Sequence, residues 1–249
     1  MSLSLRRFVE QILILGWMNS LPMLRQPVQL ASLIVFAGLP LFYMWALGGM
    51  HLISMGLAGA MISVAAFSGM FVSQDIIFNR VWTKFQDVMV ASPVKPLAYL
   101  LGIAFSNVVS VGFAIIPYST LLILQGKLNP GNAASVLTPI LICYLSNLML
   151  GFFLGTVVND VKTGNSLGNI LLLAMVYLPP VYYPITSLPE PLKLIALIIP
   201  TVSAAQIVNN ALNMPTAIKE YVSIGWMILL VSTIILALLT VKKIRWREK

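Results

Sequence analysis

The sequence predicts an all-α integral membrane protein, and three observations carry that prediction. Fifteen basic and seven acidic residues are all the charge its 249 residues hold, 9 % against roughly 25 % in a soluble domain. Six stretches are each apolar over about the 20 residues a bilayer crossing requires. The basic residues then fall almost entirely on one side of those stretches. A net charge of +8 with a pI near 9.8 does not indicate nucleic acid, because the cations are scattered among apolar runs rather than gathered on a polar face. A soluble enzyme and a disordered segment are excluded by the same composition. The solvent for most of the chain is lipid.

Residues 1–27 are expected to form an N-terminal interfacial helix. Leu5, Phe8, Val9, Ile12 and Gly16 share one helical face, with Arg7, Glu10 and Gln11 opposite, the pattern of a helix lying in the membrane surface. Glu10 and Gln11 interrupt the apolar run and no small-residue cleavage site follows, so the segment is not a signal peptide. Pro22 and Pro27 are expected to end it. The remaining residues, 28–249, form one six-span core in a single domain covering 1–249.

The expected spans are Val28–Met50, Leu52–Ser73, Leu97–Leu124, Ala134–Val158, Leu167–Tyr183 and Tyr221–Val241. Gly48, Gly49 and His51 mark the tight turn between the first two. Arg6, Arg7, Arg25, Arg80, Lys84, Lys95, Lys162, Lys242, Lys243, Arg245, Arg247 and Lys249 fall on one side, and Lys127, Lys193 and Lys219 on the other. Twelve against three places both termini in the cytoplasm by the positive-inside rule. Asp75, Asp87 and Asp160 then sit in cytoplasmic loops, without the spacing of a magnesium–diphosphate site.

The loop after the second span carries a helical stripe. Phe78, Val81, Trp82, Phe85 and Met89 recur at helical spacing, while Asn79, Arg80, Thr83, Lys84 and Asp87 fill the opposite face. Ser92-Pro93-Val94-Lys95-Pro96 then forces extended backbone. Such a helix either meets a cytoplasmic partner or only anchors the loop. On the outer side, Pro179, Pro180, Pro184, Pro189, Pro191, Pro200 and Pro215 punctuate two short apolar stretches, Leu192–Ile199 and Val202–Leu212. Each is too short to cross, and they are expected to be re-entrant helices dipping into the outer leaflet, buried in protein or lining a cavity.

At these two segments the sequence resembles the permease subunits of type 2 ABC transporters, mostly exporters. Asp87 through Gly102, with Ser92-Pro93-Val94 before the third span, is similar to that family's first cytoplasmic loop. Pro184-Ile185-Thr186-Ser187-Leu188-Pro189 followed by Pro200-Thr201 is similar to its outer segment. Two positions depart: Ile77-Phe78-Asn79-Arg80 stands where members often have an acidic residue before the Arg, and Asn209-Asn210 where many have an Arg. No G-x-x-x-x-G-K-[ST] phosphate cradle is present. The resemblance therefore implies a separate ABC ATPase subunit carrying ATP and magnesium, no cofactor in this chain, and a second permease copy, identical or related. It further implies that Phe78, Arg80, Val81, Trp82, Lys84, Phe85, Asp87, Met89, Ser92, Pro93 and Lys95 form the ATPase-coupling segment. Pro184, Leu188, Pro189 and Pro200 would shape the outer re-entrant segment.

Polar groups within spans are few. Asn107, Asn147 and Asn169 are candidates for a translocation path, or for hydrogen bonds between helices. Gly151 and Gly155 form a G-x-x-x-G pair that lets another helix approach closely, in this chain or in a second copy. Cys143 stands alone, with no disulfide or metal partner. No mid-membrane nucleophile, base or metal cluster supports an enzyme. Mid-span ionisable groups would favour a six-span secondary transporter or channel working without ATP, and the expected spans lack them. Sparse charge suits an amphipathic or lipid-like cargo.

Overall fold

The computed structural model describes residues 3–25, 27–92 and 94–243, and every regular element among them is helical. In order these are α1 (Leu3–Arg25), α2 (Pro27–Gly48), α3 (Met50–Val81), α4 (Phe85–Ala91), α5 (Pro96–Leu124), α6 (Ala133–Val157), α7 (Val161–Leu172), α8 (Glu190–Leu197), α9 (Pro200–Ala211) and α10 (Lys219–Lys243). A π-helical turn, Leu173–Tyr177, continues α7, and a single 3₁₀ turn spans Ile185–Ser187.

Four of these helices are long and apolar enough to cross a membrane: those covering Leu52–Val81, Leu97–Leu124, Ala133–Val157 and Lys219–Thr240. The pair α8 and α9, bent by 102°, makes a fifth if counted together, and α2 has a shorter apolar stretch, Leu30–Ala46. Four of the six expected spans thus meet this length and apolarity among the described residues, while the first and fifth correspond to shorter pieces, α2 and α7 with its π-turn. The expected fifth span, Leu167–Tyr183, begins instead at Val161 and ends at Tyr177. Its start is set by Asp160, whose carboxylate accepts from Thr163 N at 2.8 Å and Thr163 Oγ1 at 2.9 Å. These bonds hold the Asp160 carboxyl below its usual range, as at any well-made N-cap. Its end is set by Pro179 and Pro180, which have no N–H to continue a helix.

α3 is the central post, nearly all of its apolar stretch buried. Gly49, with φ +59° and nothing near its missing Cβ, makes the turn that separates it from α2. That left-handed backbone is cheap only for glycine. α6 lies against α3 where Gly69 and Gly151 face each other: a Cβ on Gly151 would meet the Gly69 carbonyl oxygen at 2.5 Å. The G-x-x-x-G pair therefore serves an internal contact, with Gly155 seated on Ile76. Its alternative use between two permease copies is not what this geometry supports.

α1 corrects a second expectation. It continues through Pro22 to Arg25. Rather than lying free, it runs along α5 with Leu15, Gly16 and Ser20 buried. Ile14, Trp17 and Met18 remain exposed as a second apolar face.

Proline also explains how the helices are tied. Pro40 inside α2 cannot donate to the carbonyl of Phe36, four residues earlier, and an orphaned carbonyl in lipid must find a donor. Tyr177 supplies it, its hydroxyl donating to Phe36 O at 2.7 Å. Tyr182 donates to the adjacent Ala37 O at 2.7 Å, and Tyr118 of α5 to Ile34 O. Met175 meets the same problem, since Pro179 and Pro180 occupy both positions from which a helical N–H would come. Thr201 of α9 donates its hydroxyl to that carbonyl. The pair Pro200-Thr201 is thus a structural fastening.

Candidate functional site

A cavity of about 550 Å³ opens among α2, α3, α5 and the α7 π-turn. From α2 come Ser32, Leu33 and Phe36; from α3, Phe67, Ser68, Phe71, Gln74 and Asp75. Asn107 of α5 and Asn169, Leu172, Leu173 and Tyr177 of the last element complete the lining. Measured along each axis at ~1.5 Å per residue, the polar members Ser32, Gln74, Asp75, Asn107 and Asn169 lie roughly 7–17 Å from the ends of their helices near the 82–95 loop.

Asn107 and Asn169 therefore line a cavity together, while Asn147 does not. It is fully buried beside the α3 contact, donating Nδ2 to Cys143 O at 2.9 Å within its own helix. The sequence reading missed Asp75. It assigned this residue to a loop, but α3 runs on to Val81, so Asp75 sits inside the helix with its side chain exposed to the cavity. Asn107 shares the cavity wall with it and donates Nδ2 to Ile103 O at 3.1 Å. The available signal was spacing: Phe67, Phe71, Gln74 and Asp75 continue one face of the second span past Ser73.

The loop after α3 is also rearranged. The stripe from Phe78 to Met89 predicts one helix, but the chain breaks at Trp82–Lys84, with Lys84 at φ 51°. Phe78 and Val81 end α3, half-exposed, with Phe78 against Trp82 at 5.5 Å. Trp82 and Val88 are 69 % and 60 % exposed. Phe85 and Met89 instead turn inward, Phe85 lying 6.3 Å from Tyr99. Asp87 is exposed in the first turn of α4. Arg80 donates to Val158 O just beyond α6, and Ser92 Oγ to Met89 O at 2.8 Å, closing α4. Lys95 stands 5.8 Å over the Phe8 ring of α1. Pro93 lies outside the described residues, as do the tail cations Arg245, Arg247 and Lys249.

On the opposite end, Pro184 and Leu188 flank the 3₁₀ turn, Pro189 precedes α8 and buried Pro200 opens α9. α9 is buried over Pro200–Asn209, whereas Leu194, Ile195 and Ile198 at α8 are exposed. Lys193 pairs with Glu190 at 2.7 Å and holds that carboxyl below its usual range. Among the described residues no group of three or more His, Cys, Asp or Glu converges on a metal position.

This architecture, long apolar helices around a central post, is that of a multi-pass membrane protein. Residues 28–242 match the profile of the ABC-2 family transporter proteins, and the chain belongs to that family. It is the membrane subunit of an ABC-2 type transporter, a class of typically non-catalytic permeases whose membership implies ATP-driven transport. No curated protein matches the chain significantly.

Proposed function

We propose that the chain is half of the transmembrane domain of an ATP-driven exporter, coupled to a separate ATPase subunit and paired with a second permease copy. Both termini and the 82–95 loop lie in the cytoplasm, as the twelve-to-three distribution of basic residues supports. In this reading α2, α3, α5, α6, α7 with its π-turn, and α10 are the six membrane crossings. α8 and α9 form the re-entrant outer segment, held by Thr201 and the prolines at 184, 189 and 200.

The observation that carries the reading is the surface of the 82–95 loop. Trp82 and Val88 present exposed apolar area beside Lys84 and Asp87. An apolar anchor rimmed by charge is the composition of a protein-docking patch. The ATPase engages this loop through Trp82 and Val88, while Phe85, Met89, Arg80, Ser92 and Lys95 fix the loop onto the bundle. The cavity with Asn107 and Asn169 is the inward-facing part of the path. A six-span transporter working without ATP is the alternative, and Asp75 now supplies the intramembrane carboxylate such a protein needs.

Purification of the tagged chain from native membranes in mild detergent separates the two. A co-purifying P-loop ATPase, lost in a Trp82→Asp, Val88→Asp double variant that still inserts and elutes as one species, is the expected result. Solute movement by the reconstituted permease alone, with no ATPase recovered, refutes the proposal.

A further inference from the structure

Asp75 and the rings around it point to a substrate class. The cavity wall holds one carboxylate and no cationic side chain, and its apolar part consists of Phe36, Phe67, Phe71, Tyr177 and three leucines. Among the described residues the ion pairs join Arg6 to Glu10 and Lys193 to Glu190; none reaches Asp75. An ionised carboxylate at the wall of an apolar, partly dehydrated cavity without a fixed counter-charge is electrostatically incomplete. The other polar side chains of the wall, Ser32, Ser68, Gln74, Asn107 and Asn169, are all neutral.

The rings are clustered rather than scattered. Phe67 lies 6.3 Å from Phe71 and 6.0 Å from Tyr177. Tyr177 is in turn pinned by its bond to Phe36 O. Aromatic faces carry negative potential and attract cations, organic ones included, especially where water is thinned. A second, independent observation places a binding group here: Ser68 is 2 % exposed, lines the cavity, and its hydroxyl has no hydrogen-bond partner among the described residues. Buried hydroxyls in finished structures are nearly always satisfied.

We propose that this cavity takes an amphipathic organic cation, its positive group held by Asp75 and its apolar body by the Phe36, Phe67, Phe71 and Tyr177 rings, with Ser68 available to a polar atom of the ligand. The volume, about 550 Å³, is that of a site for a drug-sized molecule. A bare metal ion would use the carboxylate and leave the aromatic wall without function; a neutral lipid would use the wall and leave the carboxylate unpaired. Only a ligand with both features satisfies the whole lining. The proposal rests on reading the cavity as part of the transport path, but the binding it describes is measurable without transport.

The test uses two ions of one shape and opposite charge, radiolabelled tetraphenylphosphonium and tetraphenylborate, in equilibrium dialysis against the full chain purified with its ATPase. The wild type is expected to hold the phosphonium about tenfold more tightly than the borate, a difference that one favourable charge contact supports. Asp75→Asn removes that preference, Asp75→Glu retains it, and elution as a single ATPase-bearing species verifies the fold of each. Equal affinity for the two ions in the wild type overturns the proposal, as does phosphonium binding unchanged in Asp75→Asn. Displacement of the phosphonium by millimolar sodium or calcium at constant ionic strength also overturns it, assigning the carboxylate to an inorganic cation. If Asp75→Asn does not fold, Phe71→Ala decides: a several-fold loss of phosphonium binding supports the site, and no change refutes it. Charge-selective binding without stimulated ATP hydrolysis would sink the exporter reading and leave the site standing. Stimulated hydrolysis indifferent to Asp75→Asn would do the reverse.

Discussion

Gly151→Ala adds a single methyl group where the structure has no room for it. The new Cβ would stand 2.5 Å from Gly69 O, with Met70 O at 3.3 Å and Met70 Cα at 3.4 Å. All three are backbone atoms of α3, so no side chain can rotate away. A carbon and a carbonyl oxygen settle at about 3.3 Å or more, so α3 and α6 must part by roughly 0.8 Å at that turn. A gap of that size forfeits a quarter to a half of each dispersion contact across it. Taking roughly 50 atom pairs over two turns at ~0.15 kcal/mol each, about 2–4 kcal/mol is lost, at the upper part of the range for overpacked cores. For a chain this long that lowers the melting midpoint by roughly 5–10 °C. The assay is heating of the fluorescently tagged full chain in detergent, followed by size-exclusion measurement of the surviving monodisperse fraction. Two internal comparisons make the result specific. At Gly155 the three atoms nearest the added Cβ all belong to the Ile76 side chain, at 3.1–3.3 Å, so Gly155→Ala should cost under about 1 kcal/mol. At exposed Gly112 it meets nothing within 4 Å, and Gly112→Ala should be neutral or stabilising by up to ~1 kcal/mol. Equal midpoints for Gly151→Ala and Gly112→Ala would refute the steric argument. Unchanged stability with loss of pairing between two copies would return the G-x-x-x-G pair to the permease–permease interface.

Other expectations can be checked on the same material. Thr201→Val strands the Met175 carbonyl, whose two helical donor positions are prolines, and should destabilise by about 1–3 kcal/mol, whereas Thr201→Ser keeps the bond and most of the stability. Tyr177→Phe should cost about 1 kcal/mol in the parent but distinctly less in a Pro40→Ala background, where residue 40 regains the N–H that Phe36 O lacks; an additive double-mutant cycle contradicts that assignment. Asp160→Ala should fray the start of α7, seen as faster amide exchange at Thr163 and Gly164. The carboxyl is held below its usual range, so its contribution is complete above the ordinary carboxylate range and declines as pH falls below it. Exchange at those amides should therefore rise in acid in the parent, after correction for intrinsic rates, but not in the variant.

Membrane class and several helix positions were legible because apolar length and proline position are local properties. Pro96 opens α5 and Pro200 opens α9, each at the first turn where its missing N–H costs nothing. The turn at Gly49 was likewise visible in Gly48-Gly49. What failed was any inference that treated a polar residue as the edge of the membrane. Ser73, Gln74 and Asp75 read as the exit of the second span, yet α3 carries them within the fold because a cavity, not lipid, adjoins that face. The stripe from Phe78 to Met89 was equally misleading. Periodicity says which residues could share a face, but not that Lys84 adopts φ 51° and turns Phe85 inward onto Tyr99. The role of Gly151 needed three dimensions too, since spacing does not distinguish a partner helix in the same chain from one in another.

The two left-handed residues Gly49 and Lys84 bracket α3, a helix of 32 residues with no interior proline. In contrast, α2, α5 and α6 each contain one. Treated as a rigid beam, α3 is about 48 Å long, with a left-handed residue at each end. If the Gly49 end is held and α4 is pushed sideways, every point on the beam moves in proportion to its distance from Gly49. Asp75 then travels about four fifths as far as the loaded end, and Phe67 about half as far. A tilt of roughly 5° shifts the loaded end by ~4 Å relative to the fixed one. The wall of the cavity does not translate as a unit under such a load. It shears, carrying the carboxylate farther than the aromatic ring two turns deeper.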